Sequence, residues 1–164
     1  MKISFEELPD QARIWIYPSN RPFTEEDLER LIPSLDHFVA NWAAHGTPLK
    51  AAYTLPYRRF IVLGVDQDIQ KASGCSIDSS VRFIQEIEKE FQVTLLDKMN
   101  VTFKQGEFLA YKSLSDFRKM AKDKAVSANT IVFNNLVENK EEFRLIGKCL
   151  QVIVGIHDFC NLTQ

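Results

Sequence analysis

Hydrophobic positions along this chain recur with two periods, two and about 3.6, and the switches between them mark out its elements. The run ARIWIY at 12–17 is rich in aromatic and β-branched residues and predicts a strand, closed by the turn residues Pro18, Ser19 and Asn20. Alternation sets Arg13, Trp15 and Tyr17 on one side of that strand and Ile14 and Ile16 on the other, with the aromatic pair expected in the core. Residues 1–11 read as a tether or a short edge element. A helix start follows: Thr24 and Asp27 have capping-box spacing, Phe23 and Leu28 can staple, and Glu25, Glu26 and Asp27 suit the positive helix end. Leu28, Leu31, Leu35, Phe38, Val39 and Trp42 then carry an apolar stripe, which Pro33 is expected to kink or to split into two helices. His45 and Gly46 read as the helix exit, with Gly46 as the left-handed residue beyond the last turn.

Residues 49–55 and 60–65 form a hairpin pattern that reverses near Pro56 and Tyr57. The longest helical pattern spans 77–91, where Ile77, Val81, Ile84, Ile87 and Phe91 share a face and Arg82, Gln85, Glu86, Glu88 and Lys89 face water. Its cap is Ser76 or Ser79, or Asp78 starts it two residues later. Residues 93–96 give a short strand. A second hairpin runs through 99–104 and 107–112 around Gln105 and Gly106. Ser115 caps a helix over 116–123, a strand follows at 130–133, and Asn134 and Asn135 end it. Asn139 and Glu142 form another capping box, with Phe143, Ile146 and Leu150 behind it, and 151–156 returns to strand.

The order strand, helix, hairpin, helix, strand gives a βαββαβ core with appended elements. The expected class is α+β, with an antiparallel or mixed sheet in one layer and covering helices in the other. A length of 164 residues with 45% hydrophobic content fits one compact domain over 1–164. Twenty basic against 22 acidic side chains leave a formal charge of -2, which gives no general attraction for nucleic acid or an anionic membrane. The stretch from Arg58 to Val62 resembles the basic-aromatic strand of RNA-binding sheets but lacks their glycine-aromatic pattern; an exposed platform of Trp15, Tyr17 and Phe60 would be needed. Cys75, Cys149 and Cys160 form no CxxC pair, so a disulfide scaffold is not expected and a reducing, cytoplasmic location is. The start of the chain carries acids and Pro9 where an export segment would be apolar, and no run reaches membrane-spanning length. Asp66 with Asp68, and His157 with Cys160, are two-ligand fragments only, so neither a metal nor a cofactor is expected.

Chemistry concentrates at ASGCSIDSS, residues 72–80, where a free cysteine, a glycine and short polar side chains meet a strand-to-helix transition. A cysteine there can feel unpaired helix-start N–H groups. One reading makes Cys75 the nucleophile of acyl transfer or hydrolysis, His45 its base, and Asp66 or Asp78 the orienting acid. The favoured reading is noncatalytic binding of a small ligand or a protein partner. Arg21, Trp42, His45, Asp66, Cys75, Asp78, Asn134 and Asn135 would line the pocket if the strand and helix ends converge. Each also has a purely structural use: ion pairing for Arg21, packing for Trp42, and capping or turn formation for the rest.

The segments IYPSNR at 16–21, WAAHG at 42–46, Val65-Asp66 with ASGCSID at 72–78, and TIVFNNLV at 130–137 together resemble a small uncharacterised family from Bacteroidetes. Members of that family are sometimes labelled ABC transporter ATPase, and the pattern near His157 departs from the tryptophan associated with it. The residues give that label no support: there is no GxxxxGK[ST] loop, and a single glycine at 74 is no phosphate cradle.

Overall fold

The computed structural model of the chain describes residues 1–126, 130–145 and 151–153. The first sheet takes its strands from β1 (Arg13–Pro18), β4 (Ala51–Thr54) and β5 (Phe60–Val65), in the order β1-β5-β4 and antiparallel throughout. Between them in sequence lie helix α1 (Glu25–Asn41) and a small hairpin of β2 (Ala43–Ala44) and β3 (Thr47–Pro48). Helix α2 (Gly74–Phe91) follows β5. The second sheet has the order β7-β6-β8-β9, built from β6 (Asn100–Gln105), β7 (Phe108–Ser113), β8 (Ile131–Phe133) and β9 (Gln151–Ile153). Helices α3 (Leu114–Lys122) and α4 (Lys140–Leu145) complete the described chain. The fold is α+β, with antiparallel sheets flanked by helices.

All six residues of β5 are buried because the first sheet is covered on both faces. Alternation sends Ile61, Leu63 and Val65, with Tyr17, toward α1 and α2, where they meet Leu31, Leu35, Val39, Ile84, Ile87 and Phe91. Phe60 and Val62 point the other way, into a second cluster with Phe5, Leu8, Ile14, Phe133 and Val137. Each such apolar side chain removed from water contributes about 1.5–3 kcal/mol, so this one strand anchors both layers. On the second sheet, Phe103, Val101 and Val132 pack against Phe117 and Leu114 of α3.

Residues 1–11 are more than a tether. Lys2 bridges Ala51 on the outer side of β4, and Ile3 donates to the Ala51 carbonyl at 2.9 Å. Residues 4–12 then cross the sheet face that Phe5, Leu8 and Ala12 cover. On the opposite side of the sheet, Ile14 of β1 donates to Glu138 at 2.9 Å, and Arg13 bridges Asn139. Both edges of the first sheet are thereby occupied. The stretch 93–96 consequently joins no ladder, and the expected fourth strand of a βαββαβ sheet is irregular chain whose Val93 and Leu95 are buried against the helical core.

Three local expectations are corrected. Helix α1 is not split at Pro33 into two helices; it runs as one element to Asn41, and its C-cap Trp42 takes extended angles with its side chain buried. His45 and Gly46, at φ of 51° and 79°, are the two central residues of the β2–β3 hairpin, a turn that needs left-handed residues at both positions. Helix α3 starts two residues earlier than expected from Ser115, because Ser113 is its cap and accepts from Asp116 N–H at 3.2 Å. The capping residues Thr24 with Asp27, and Asn139 toward Glu142, stand as read. Ile146, Leu150, Cys149, His157 and Cys160 lie outside the described residues.

Candidate functional site

The start of α2 differs from every cap read from the sequence. Ser73 is the N-cap: its hydroxyl accepts from Ser76 N–H at 3.2 Å, while the Ser76 hydroxyl accepts from Ser73 N–H at 2.8 Å. Serine at the third position of the first turn thus does what glutamate usually does in a capping box. Cys75 falls within that first turn and is exposed. Ser76 and Ser80 are buried, and their small side chains let α2 lie close to Trp42 and Tyr17. The Trp42 indole N–H donates to the Ser76 carbonyl at 2.9 Å, and its ring centroid lies 5.7 Å from Trp15 and 5.1 Å from Phe38. Burial pushes the Tyr17 phenol above its ordinary value, against which the Ser80 hydroxyl works.

The remaining sequence-derived residues are distributed rather than gathered. Arg21 donates to Asp27 Oδ2 at 2.7 Å and to the Phe91 carbonyl at 2.6 Å, joining the start of α1 to the end of α2. Asp66, buried at the end of β5, accepts from Asp68 N–H at 3.0 Å and from Lys50 Nζ at 3.3 Å. Asn134 Oδ1 accepts from Leu136 N–H at 2.9 Å, closing its own turn, and Asn135 Oδ1 is buried with no partner among the described residues. His45 and Asp78 are exposed, and among the described residues neither makes a side-chain hydrogen bond to Cys75. No group of three His, Cys, Asp or Glu side chains able to hold a metal is present among the described residues, and no described helix is long and apolar enough to cross a membrane. Trp15, Tyr17 and Phe60 do not share an exposed platform: Phe60 lies on the opposite sheet face, fully buried.

A different concavity lies between α1 and α2. This open groove of about 590 Å³ is floored by Phe38 and Phe83, whose rings stack at 4.2 Å with only 4° between their planes, and by Pro33. Its rim is polar: Ser34 and His37 on α1, Ser79, Arg82 and Glu86 on α2. The Ser34 hydroxyl donates to Arg30 carbonyl at 3.1 Å and the Ser79 hydroxyl to Ser76 carbonyl at 2.7 Å, which leaves both oxygens free to accept. Among the described residues Arg82 has no ion-pair partner. None of the eight residues read from the sequence as site residues lines this groove. One signal was available: Phe83, four residues before Ile87, widens the apolar stripe of α2 beyond the residues read as its buried face. Comparison with known protein families, curated proteins and solved structures yields no match.

Proposed function

We propose that this protein is a noncatalytic binding protein whose ligand is a small zwitterionic molecule with an apolar side chain, of the amino-acid type, held in the α1–α2 groove. The observation that carries the reading is the stacked Phe38–Phe83 floor beneath a rim of both charge signs. The volume falls in the range of small-molecule sites, and a few polar groups around an apolar floor fix orientation in such sites. Arg82 and His37 suit a carboxylate, Glu86 and the two free serine oxygens suit an ammonium group, and the stacked rings suit an apolar side chain. The test is a calorimetric and thermal-shift panel of free amino acids, repeated with their amide and acetylated forms. Binding of apolar amino acids that is saturable and is weakened tenfold or more by Arg82→Ala supports the reading. Absence of binding across the panel, or binding indifferent to Arg82→Ala and Phe83→Ala, overturns it.

A further inference from the structure

Four aromatic rings form a ladder from the first sheet to the α1–α2 groove. Trp15 of β1 meets Trp42 at 5.7 Å between ring centroids, Trp42 meets Phe38 at 5.1 Å, and Phe38 meets Phe83 at 4.2 Å. The angle between successive planes falls along that series from 59° to 37° to 4°, so tilted contacts give way to a parallel stack at the groove. Trp42 is buried in the middle of the ladder, whereas Trp15, Phe38 and Phe83 are half-buried. A parallel stack occupies one face of each ring it joins and leaves the other face of the last ring for a further neighbour.

The two ends of the ladder differ. At the sheet end the Arg13 guanidinium lies over Trp15, 5.3 Å from its centroid. Tyr53 and Tyr57, two other rings that reach the surface, carry Lys2 at 5.7 Å and Lys104 at 5.9 Å in the same way. At the groove end Phe83 stacks on Phe38, and among the described residues it meets neither a second ring nor a cation. Polar groups flank this last ring at helical spacing. Ser79 and Glu86 line the groove with Phe83, one a turn before it on α2 and the other a turn after. At the rise of an α-helix those positions lie about 4.5–6 Å along the axis from Phe83.

We infer that the groove selects an aromatic amino acid, whose ring stacks on Phe83 and becomes the next rung of the ladder. The inference rests on the amino-acid reading of the groove and narrows it. An aliphatic side chain gains from apolar burial alone, while an aromatic ring adds stacking to the same burial. Calorimetric titration of the full chain with L-phenylalanine and with L-cyclohexylalanine, similar in outline but without the π-system, tests it. Phenylalanine is expected to bind the wild-type chain about 2- to 12-fold tighter than cyclohexylalanine. In Phe83→Leu, which keeps an apolar, helix-favouring side chain, the ratio is expected to fall to about 1. A wild-type ratio below about 2 overturns the aromatic selection and leaves the amino-acid reading standing, and this comparison needs no variant to fold. A ratio that survives in folded Phe83→Leu overturns it as well. Binding of neither compound overturns this inference, and absence of binding across the whole amino-acid panel removes the underlying reading with it.

Discussion

Trp42, which bonds to the first turn of α2, and Cys75, which lies within that turn, have opposite consequences. Trp42 reads from the sequence as the last member of an apolar stripe, and its burial follows from that pattern; its hydrogen bond does not, because the acceptor comes from a helix 34 residues later. Phenylalanine at 42 keeps most of the apolar area but removes the indole donor and part of the ring. The Ser76 carbonyl is not stranded, since Ser79 Oγ also donates to it at 2.7 Å, so the hydrogen-bond loss is at the ordinary level of about 1 kcal/mol. With incomplete refilling of the volume between Trp15 and Phe38, Trp42→Phe is expected to cost about 1–3 kcal/mol in a urea titration. Cys75, one residue before Ser76, is exposed with no side-chain partner among the described residues. Cys75→Ser is therefore expected to change stability by less than about 0.5 kcal/mol, and a larger loss would show that the thiol has a structural role.

Capping chemistry made element starts legible wherever the signal was local. The box of Thr24 and Asp27 was readable because both partners lie within one turn, whereas the Arg21 guanidinium that completes it also reaches the Phe91 carbonyl, 70 residues away. Serine at both ends of the α2 box hid that start, since serine carries no acidic signal. Residues 93–96 misled for another reason: β-favouring composition reports a preference for extended backbone, not a vacant sheet edge, and both edges were filled by residues from the two ends of the described chain. The same Arg21 link gives a pH expectation. The Arg21 hydrogen bond, helped by Thr24 and opposed by burial, holds the Asp27 carboxyl below its ordinary 3.8. A carboxyl lower in the folded than in the unfolded chain stabilises fully above the unfolded value and loses that contribution as pH falls through the folded one. Asp36, held down by Lys2 and then Tyr53, acts in the same sense. Stability is therefore expected to decline below about pH 4. Arg21→Met should flatten that decline while lowering stability at neutral pH, as denaturation midpoints across the acid range would show; an unchanged acid slope would remove Asp27 as a contributor.

At the scale of the whole molecule, the arrangement depends on β5 being accessible to both layers at once, and Gly64 is where the second layer comes closest. The run FIVLGV identified a buried strand, but nothing in it marked its glycine as a seat for residues 5–8. A Cβ at 64 would stand 2.5 Å from Leu8 Cδ1, 3.4 Å from Phe5 Cε2 and 3.5 Å from Ile14 Cγ2. Alanine there restricts the unfolded chain, a gain of up to about 1 kcal/mol, but forces Leu8, itself 2% exposed, out of a filled site at about 1–3 kcal/mol. Gly64→Ala is thus expected to destabilise. Leu8→Ala alone opens a cavity under the segment at about 2–5 kcal/mol. In the double variant the clash disappears and the new methyl fills part of the cavity, so the combined loss should fall short of the sum by about 1 kcal/mol or more. A double-mutant cycle measured by urea denaturation reads that coupling directly. Additive losses would mean that the segment from Phe5 to Leu8 does not rest on β5, and that the second face of the sheet is covered in some other way.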